Sequence, residues 1–259
     1  MFNTRPTVLS IAGFDPSAGA GILADVKTFE ASGVYGMGIV SAITYQNDNA
    51  FEKVEWLSLS QMIEQIQVLQ RRFKFEYIKI GLIENLEILH QLILYLLSNT
   101  SHSKIIFDPV LNASAGYEFY KNNNQSLLET ICSKLYLITP NIPEALQLGV
   151  YDDASKNSAY LSTFCNVYLK GGHNTENKGN DILFTKDKKQ QITFHSTTNS
   201  AFEKHGSGCV LSSAITANLA KGFTLEQACK EAKNYITDFL LSNETLLGYH
   251  SNLTTIAHG

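Results

Sequence analysis

The run best suited to chemistry in this chain is His205-Gly206-Ser207-Gly208-Cys209. Gly206 and Gly208 let the backbone turn tightly and approach a ligand with no Cβ in the way. The small-residue stretch behind them, ending at Gly222, reads as a helix over residues 209–221. Free N–H groups and the positive end of a helix dipole therefore face whatever sits at residues 206–209, which is the chemistry of an anion site. A thiol in that first turn is expected to ionise more readily than usual. Together these features predict a place where a phosphoryl group is transferred.

Three other polar ends accompany it. Asp108-Pro109 closes one apolar run, Thr139-Pro140-Asn141 the next and Lys170-Gly171-Gly172-His173 the one after. In a parallel sheet, ligands bind at the carboxyl ends of strands, so these ends point at one crevice. No GxxxxGK[ST] phosphate loop occurs. Gly19-Ala20-Gly21-Ile22-Leu23-Ala24 matches a relaxed dinucleotide fingerprint. However, residues 14–18 separate it from its strand, and the acidic ribose partner about twenty residues on is missing.

The elements that must position these groups alternate. Strands are predicted over residues 7–12, 36–44, 54–59, 77–81, 104–108, 135–139 and 166–170, and an antiparallel hairpin over 181–185 and 191–195. Helices are predicted over 21–32, 60–73 with Ser60 as cap, 85–97 with Asn85 as cap, 125–133, 141–148, 209–221 and 225–241. Asp25 lies on the border of the apolar face formed by Ile22, Leu23, Val26 and Phe29. Strands alternating with helices argue for an α/β fold whose largely parallel sheet is covered on both faces. No linker splits the chain, so one domain over 1–259 is expected. Residues 243–259 are expected to be a loosely held tail.

Composition sets the class. The chain has 259 residues, 44% hydrophobic and 17% charged, with a net charge of −4. That balance offers no electrostatic reason for nucleic acid or an anionic membrane. Cys132, Cys165, Cys209 and Cys229 form no CxxC pair or metal-finger spacing. The opening Met-Phe-Asn-Thr-Arg-Pro lacks the pattern of a secretory signal, and the most apolar helix candidate is interrupted by Glu87, His90 and Gln91. A cytoplasmic protein with reduced thiols is expected.

These motifs resemble the hydroxymethylpyrimidine/phosphomethylpyrimidine kinases, the thiamin-pathway branch of the ribokinase-like superfamily. The matching stretches are residues 11–21, Asp25-Val26-Lys27-Thr28-Phe29, 36–47, Lys79-Ile80-Gly81, Asp108-Pro109-Val110, Thr139-Pro140-Asn141 with Glu144, Lys170-Gly171-Gly172-His173 and residues 205–209. The opening motif with Asp25, Gln46 and a cysteine at 209 distinguishes this family from its relatives.

The resemblance implies a three-layer α/β/α ribokinase-like domain that phosphorylates the pyrimidine alcohol, and then its monophosphate, with ATP and Mg²⁺. Gly13, Asp25, Thr44, Gln46, Leu82 and Val110 are implied to line the pyrimidine site, with Asp25 and Gln46 hydrogen-bonding its aminopyrimidine edge. Asn141 and Glu144 are implied to organise Mg²⁺ through its waters, although a helix N-cap and a first-turn acid fit them equally well. Lys170 is implied to lie near the ATP phosphates, and Gly206, Ser207, Gly208 and Cys209 to supply amides to the phosphates in transit. Cys209 stands where many relatives have an aspartate, which makes it a candidate base; the plain alternative is a packing residue. A homodimer is also expected.

Departures from the family pattern are Lys204 and Ser207, where threonines are common, and Ser114-Ala115-Gly116 in place of Lys-Ser-Gly. Lys204 is either a cation near the nucleotide or solvent-facing. His205 and His173 either orient phosphates or are structural. A pyridoxal or pyridoxine kinase is the nearest alternative, and a non-catalytic pyrimidine-binding protein is a second.

Overall fold

The computed structural model describes residues 5–100, 102–111, 124–172, 179–196 and 202–250. In chain order the elements are β1 (Thr7–Phe14), α1 (Gly21–Ala31), β2 (Tyr35–Gln46), β3 (Phe51–Trp56), α2 (Leu59–Gln70), β4 (Tyr77–Ile80), α3 (Leu86–Asn99), β5 (Lys104–Phe107) and α4 (Gln125–Cys132). They continue with β6 (Leu137–Ile138), α5 (Ile142–Leu148), α6 (Ala154–Leu161), β7 (Asn166–Leu169), β8 (Asp181–Phe184), β9 (Gln191–Phe194), α7 (Ser207–Ala220) and α8 (Leu225–Leu241).

The nine described strands form one sheet in the order β3-β2-β1-β4-β5-β6-β7-β8-β9. The six strands from β2 to β7 in that order run parallel, while β3, β8 and β9 pair antiparallel with their neighbours. The chain leaves β1 for β2 on one side and reaches β4 on the other. The strand order therefore reverses between β1 and β4, which opens a crevice at their carboxyl ends.

Both faces of the sheet are buried, and the two-residue strand period sorts its side chains between them. Leu9, Ile11, Ile78, Ile80, Ile105 and Phe107 face a core shared with α2, α3, α4, α5 and α6. Val8, Tyr77 and Ile106 face a second core shared with α1, α7 and α8. The result is the expected three-layer α/β/α arrangement.

Local departures from the predicted elements have local causes. Ser58, not Ser60, caps α2: its hydroxyl accepts from Gln61 N–H and Gln61 answers at the Ser58 N–H, a capping box. Helix α6 is missing from the prediction because it carries little apolar periodicity, although Asp153 caps it through Lys156 N–H (2.8 Å). Helix α7 starts two residues early, after Gly206 at φ 72°. Residues 243–250 are not loose. Lys204 Nζ donates to the carbonyls of Asn243 (2.5 Å) and Thr245 (2.6 Å), and His205 N–H to Leu246 O (2.9 Å). Residues 251–259 lie outside the described residues.

Candidate active site

At the crevice, Gly13, next to last in β1, lies against Leu82 and Thr44. A Cβ on Gly13 would lie 2.9 Å from Leu82 Cδ2 and 3.6 Å from Thr44 Cγ2. Ser41 Oγ donates to Leu82 O (2.6 Å) and fixes that segment. Thr44 Oγ1 donates to Phe14 O (2.9 Å) and accepts from Gln46 Nε2 (2.9 Å). Four of the predicted pyrimidine-lining residues, Gly13, Thr44, Gln46 and Leu82, thus form one group. Val110 lies half-buried just past β5, its N–H on Asp108 O (2.9 Å).

Asp25 does not join that group. Its side chain has no exposed surface, and its oxygens accept from Ser10 Oγ (2.6 Å), Ser213 Oγ (2.8 Å) and Lys79 Nζ. The carboxylate expected to hydrogen-bond a pyrimidine edge is instead wholly buried on these three protein donors. Nor is it an exposed helical aspartate. Lys79 is wholly buried too. Burial opposes its charge, but Asp25, Cys209 and Asp108 outweigh burial and raise its pKa.

The three strand ends do converge, and Asp108 is their hub. Its Oδ1 accepts from Lys170 Nζ (2.8 Å) and Thr139 Oγ1 (3.0 Å), and its Oδ2 from Ser212 Oγ (2.9 Å) on α7. Burial alone would raise the Asp108 carboxyl; Lys170 and Lys79 hold it below the usual range. Lys170 pairs in addition with Glu144 Oε2 (3.6 Å), and its pKa is raised, the two carboxylates outweighing burial. A Cβ on Gly208 would lie 3.2 Å from Lys170 Nζ, so this glycine lets the anion turn sit directly on the ammonium group.

Asn141 and Glu144 form a capping box for α5: Asn141 Oδ1 accepts from Glu144 N–H (2.8 Å), and Glu144 Oε2 accepts from Asn141 N–H (2.7 Å). Burial pushes the Glu144 carboxyl up to about 7, Lys170 opposing and Asp108 adding to the rise. Among the described residues no group of three or more His, Cys, Asp and Glu side chains is placed to hold a metal. Asp108 and Glu144, both buried around Lys170, are compatible with Mg²⁺ held mainly by phosphate oxygens and water.

The anion turn is clamped from the opposite side. Gly206 packs so closely that a Cβ would meet Gly19 O at 2.1 Å. Asp15 accepts from Ser17 N–H (2.8 Å), Ala20 N–H (2.8 Å) and Ser17 Oγ, and it pairs with His205 Nε2 (2.8 Å). Burial would raise the Asp15 carboxyl, but these partners lower it on balance. His205 therefore holds two loops together. Lys204, on the carbonyls of Asn243 and Thr245, holds the segment that follows α8 and is neither a solvent-facing cation nor one aimed at a nucleotide. His173 and residues 114–116 lie outside the described residues.

Cys209 is partly exposed at the third position of α7. The expectation of an easily ionised thiol is corrected. Burial pushes it up to about 11, with Asp108 and Asp25 adding to the rise, against Lys79 and the Gly21 amide. Desolvation beside two carboxylates disfavours the thiolate. The same Gly21 joins the two parts of the site, since a Cβ there would lie 2.1 Å from Gly13 O. Asp15, Lys79, Asp108, Ser212 and Ser213 are the site residues that motif reasoning left without a role. Asp15, Lys79 and Asp108 lie in the motifs that carry the family resemblance, whereas Ser212 and Ser213 carry no signal beyond their place in a small-residue helix.

The chain is similar over most of its length to known kinases. A family model described as phosphomethylpyrimidine kinase matches residues 15–254. A hydroxymethylpyrimidine/phosphomethylpyrimidine kinase of Staphylococcus aureus is 36% identical over 239 residues, covering 88% of this chain and 86% of the relative. A solved phosphomethylpyrimidine kinase of Clostridium difficile superposes with a TM-score of 0.74 at 33% identity, covering 90% of this chain and 99% of the other. A pyridoxal kinase of Staphylococcus aureus in complex with ADP superposes with a TM-score of 0.81 at 25% identity, covering 98% and 96%.

Proposed function

This chain belongs to the phosphomethylpyrimidine kinase family, and we propose that it uses ATP to phosphorylate 4-amino-5-hydroxymethyl-2-methylpyrimidine and then the resulting monophosphate, for thiamin biosynthesis. One observation carries the assignment of the chemistry to this site. Gly21 lies between the Gly13–Thr44–Leu82 group and Cys209, so an acceptor on that group presents its hydroxyl to the turn at residues 206–209.

In this reading the substrate oxygen bonds to the γ-phosphorus, the bridging oxygen–phosphorus bond breaks and ADP leaves. Such a transfer needs positioning and charge stabilisation more than covalent chemistry. Gln46 offers an amide to the pyrimidine edge. The amides of Gly206, Ser207, Gly208 and Cys209 receive the phosphoryl oxygens, and Lys170 beneath Gly208 adds positive charge. Mg²⁺ fits beside Asp108 and Glu144, where it neutralises phosphate charge when bound; Asn141 orients Glu144 through the capping box. Cys209 takes the hydroxyl proton as thiolate.

We read the chain as one kinase domain that pairs with a second copy. Phe14, Ile43 and Tyr45 support the pairing, because they are exposed together on β1 and β2, with Phe14 and Ile43 in register. Light scattering giving the mass of one chain would remove it.

ATP consumption measured with the pyrimidine alcohol and with pyridoxine tests the function. The reading expects the pyrimidine to be used with the higher kcat/KM; a preference for pyridoxine reverses the assignment. For the base, a thiol raised to about 11 predicts kcat/KM rising with pH from neutrality toward 10. In Cys209→Ala that rise should vanish, along with on the order of 10²-fold or more of the rate. A variant with near-full turnover and an unchanged profile removes Cys209 from the role.

A further inference from the structure

Helix α7 carries the transfer turn, and its apolar residues do not single out one face of it. All of residues 210–219 are buried, so no apolar stripe distinguishes one face from another. Val210, Leu211, Ile215 and Leu219 pack it into the core, and small or polar residues fill the rest of its surface.

Buried hydrogen bonds key the position of α7 as well. Ser213 Oγ donates to Asp25 Oδ1 (2.8 Å) on α1, and Asp25 is paired with Lys79 on β4. Asp25 Oδ2 accepts from Ser10 (2.6 Å) on β1, and Ser10 and Lys79 lie opposite each other in the β1–β4 register. Lys79 Nζ also reaches Cys209 O (3.4 Å). The neighbouring Ser212 divides its hydroxyl between Asp108 and the carbonyls of Gly208 and Cys209. Ser213 is therefore the more direct tie from α7 to the strands that flank the crevice.

We propose that Ser213, through the buried Asp25–Lys79 pair, is a positioning residue for phosphoryl transfer that sets the height of α7, and so of the turn at residues 206–209, against β1 and β4. This rests on the reading that transfer occurs at that turn. A misplacement of about 1 Å at a reacting centre costs on the order of 10²-fold in rate. Ground-state binding of the two substrates depends on it much less.

The test compares Ser213→Ala with Thr216→Ala. Thr216 is an equally buried hydroxyl on α7 that donates to Ser212 O (2.8 Å) within the helix. Ser213→Ala should lose about 10- to 100-fold in kcat with both KM values within about threefold of wild type. Ser213→Thr, which keeps the hydroxyl, should recover most of the loss, and Thr216→Ala should keep its kcat. A Ser213→Ala enzyme that loses no more than Thr216→Ala overturns the proposal.

If Ser213→Ala does not fold, Ser10→Ala replaces it. That variant strips the opposite bond from Asp25 and leaves α7 untouched; about a 3- to 10-fold loss in kcat is expected, and an unchanged kcat overturns the proposal. Alkylation of Cys209, the partly exposed member of the four cysteines, needs no substrate. Its rate should change about threefold or more in Ser213→Ala and stay constant in Thr216→Ala. A wild-type protein that consumes no ATP with the pyrimidine sinks the kinase reading alone, because the alkylation arm still decides the positioning role.

Discussion

On what we read as the acceptor side of the crevice, Gly13 faces carbon atoms of Leu82 and Thr44, and the Gln46 amide donates to the Thr44 hydroxyl. On the transfer side, Lys79 and Lys170 are buried against Asp25, Asp108 and Glu144, and consecutive serines of α7 reach two of those carboxylates. An apolar wall with one or two polar groups is enough to choose a small aromatic ring. Stabilising a moving phosphoryl group requires fixed charge in a dry site, where groups cannot relax away from their positions. Breaking the first region should change which substrate binds, and breaking the second should change rate and stability.

The sharpest separation is expected from Gly206→Ala. A Cβ at φ 72° would meet Gly19 O at 2.1 Å, so the turn must move. Turnover should fall on the order of 10²- to 10³-fold, and a pyrimidine KM close to wild type would confirm that the acceptor side stands apart. Lys170→Met comes next. It leaves Asp108 and Glu144 buried without their cation, which should cost about 3–5 kcal/mol of stability by denaturant unfolding. A variant as stable as wild type would mean that the cluster is not held by that charge.

Gln46→Leu addresses the other region. It should raise the pyrimidine KM about tenfold with kcat nearly unchanged; an equal loss in kcat would erase the division between the regions. The smallest effect concerns pH. The Glu144 carboxyl is raised from 4.5 to about 7 in the folded protein. The folded state then holds more protons than the unfolded one between those values, so this group's stabilising contribution is lost as pH rises through them. Glu144→Gln keeps a capping-box residue but does not titrate. The difference in Tm between wild type and variant should therefore shift against wild type from pH 4.5 to 7; a constant difference would show that Glu144 does not titrate there.

How much of this was legible in advance depended on the kind of signal. The strands were readable because apolar runs ended in Pro or Gly, and α3 because its Asn85 cap stands directly before an apolar run. The convergence of Asp108, Thr139 and Lys170 followed from their shared place at strand ends. Asp25 was readable as important and misread in its role. A carboxylate on the border of an apolar helix face looks the same whether a ligand or a buried lysine meets it. Cys209 was misread for a related reason: a helix N-terminus is visible in the sequence, but the burial and the two carboxylates that raise its pKa come from distant segments. Lys79 lies in the Lys79-Ile80-Gly81 motif, but nothing local ties it to Asp25 or Ser213, and Lys204 is visible only as a departure from the family pattern.

By itself, then, the sequence determined the alternation of elements, the glycine turn ahead of α7 and the family, because periodicity, capping and motifs are local properties. The tertiary structure decided which charges neutralise each other. Asp25 and Lys79 are 54 residues apart and Lys170 and Asp108 62 apart, and the stability of a buried charge depends on the partner brought to it rather than on its neighbours in the chain.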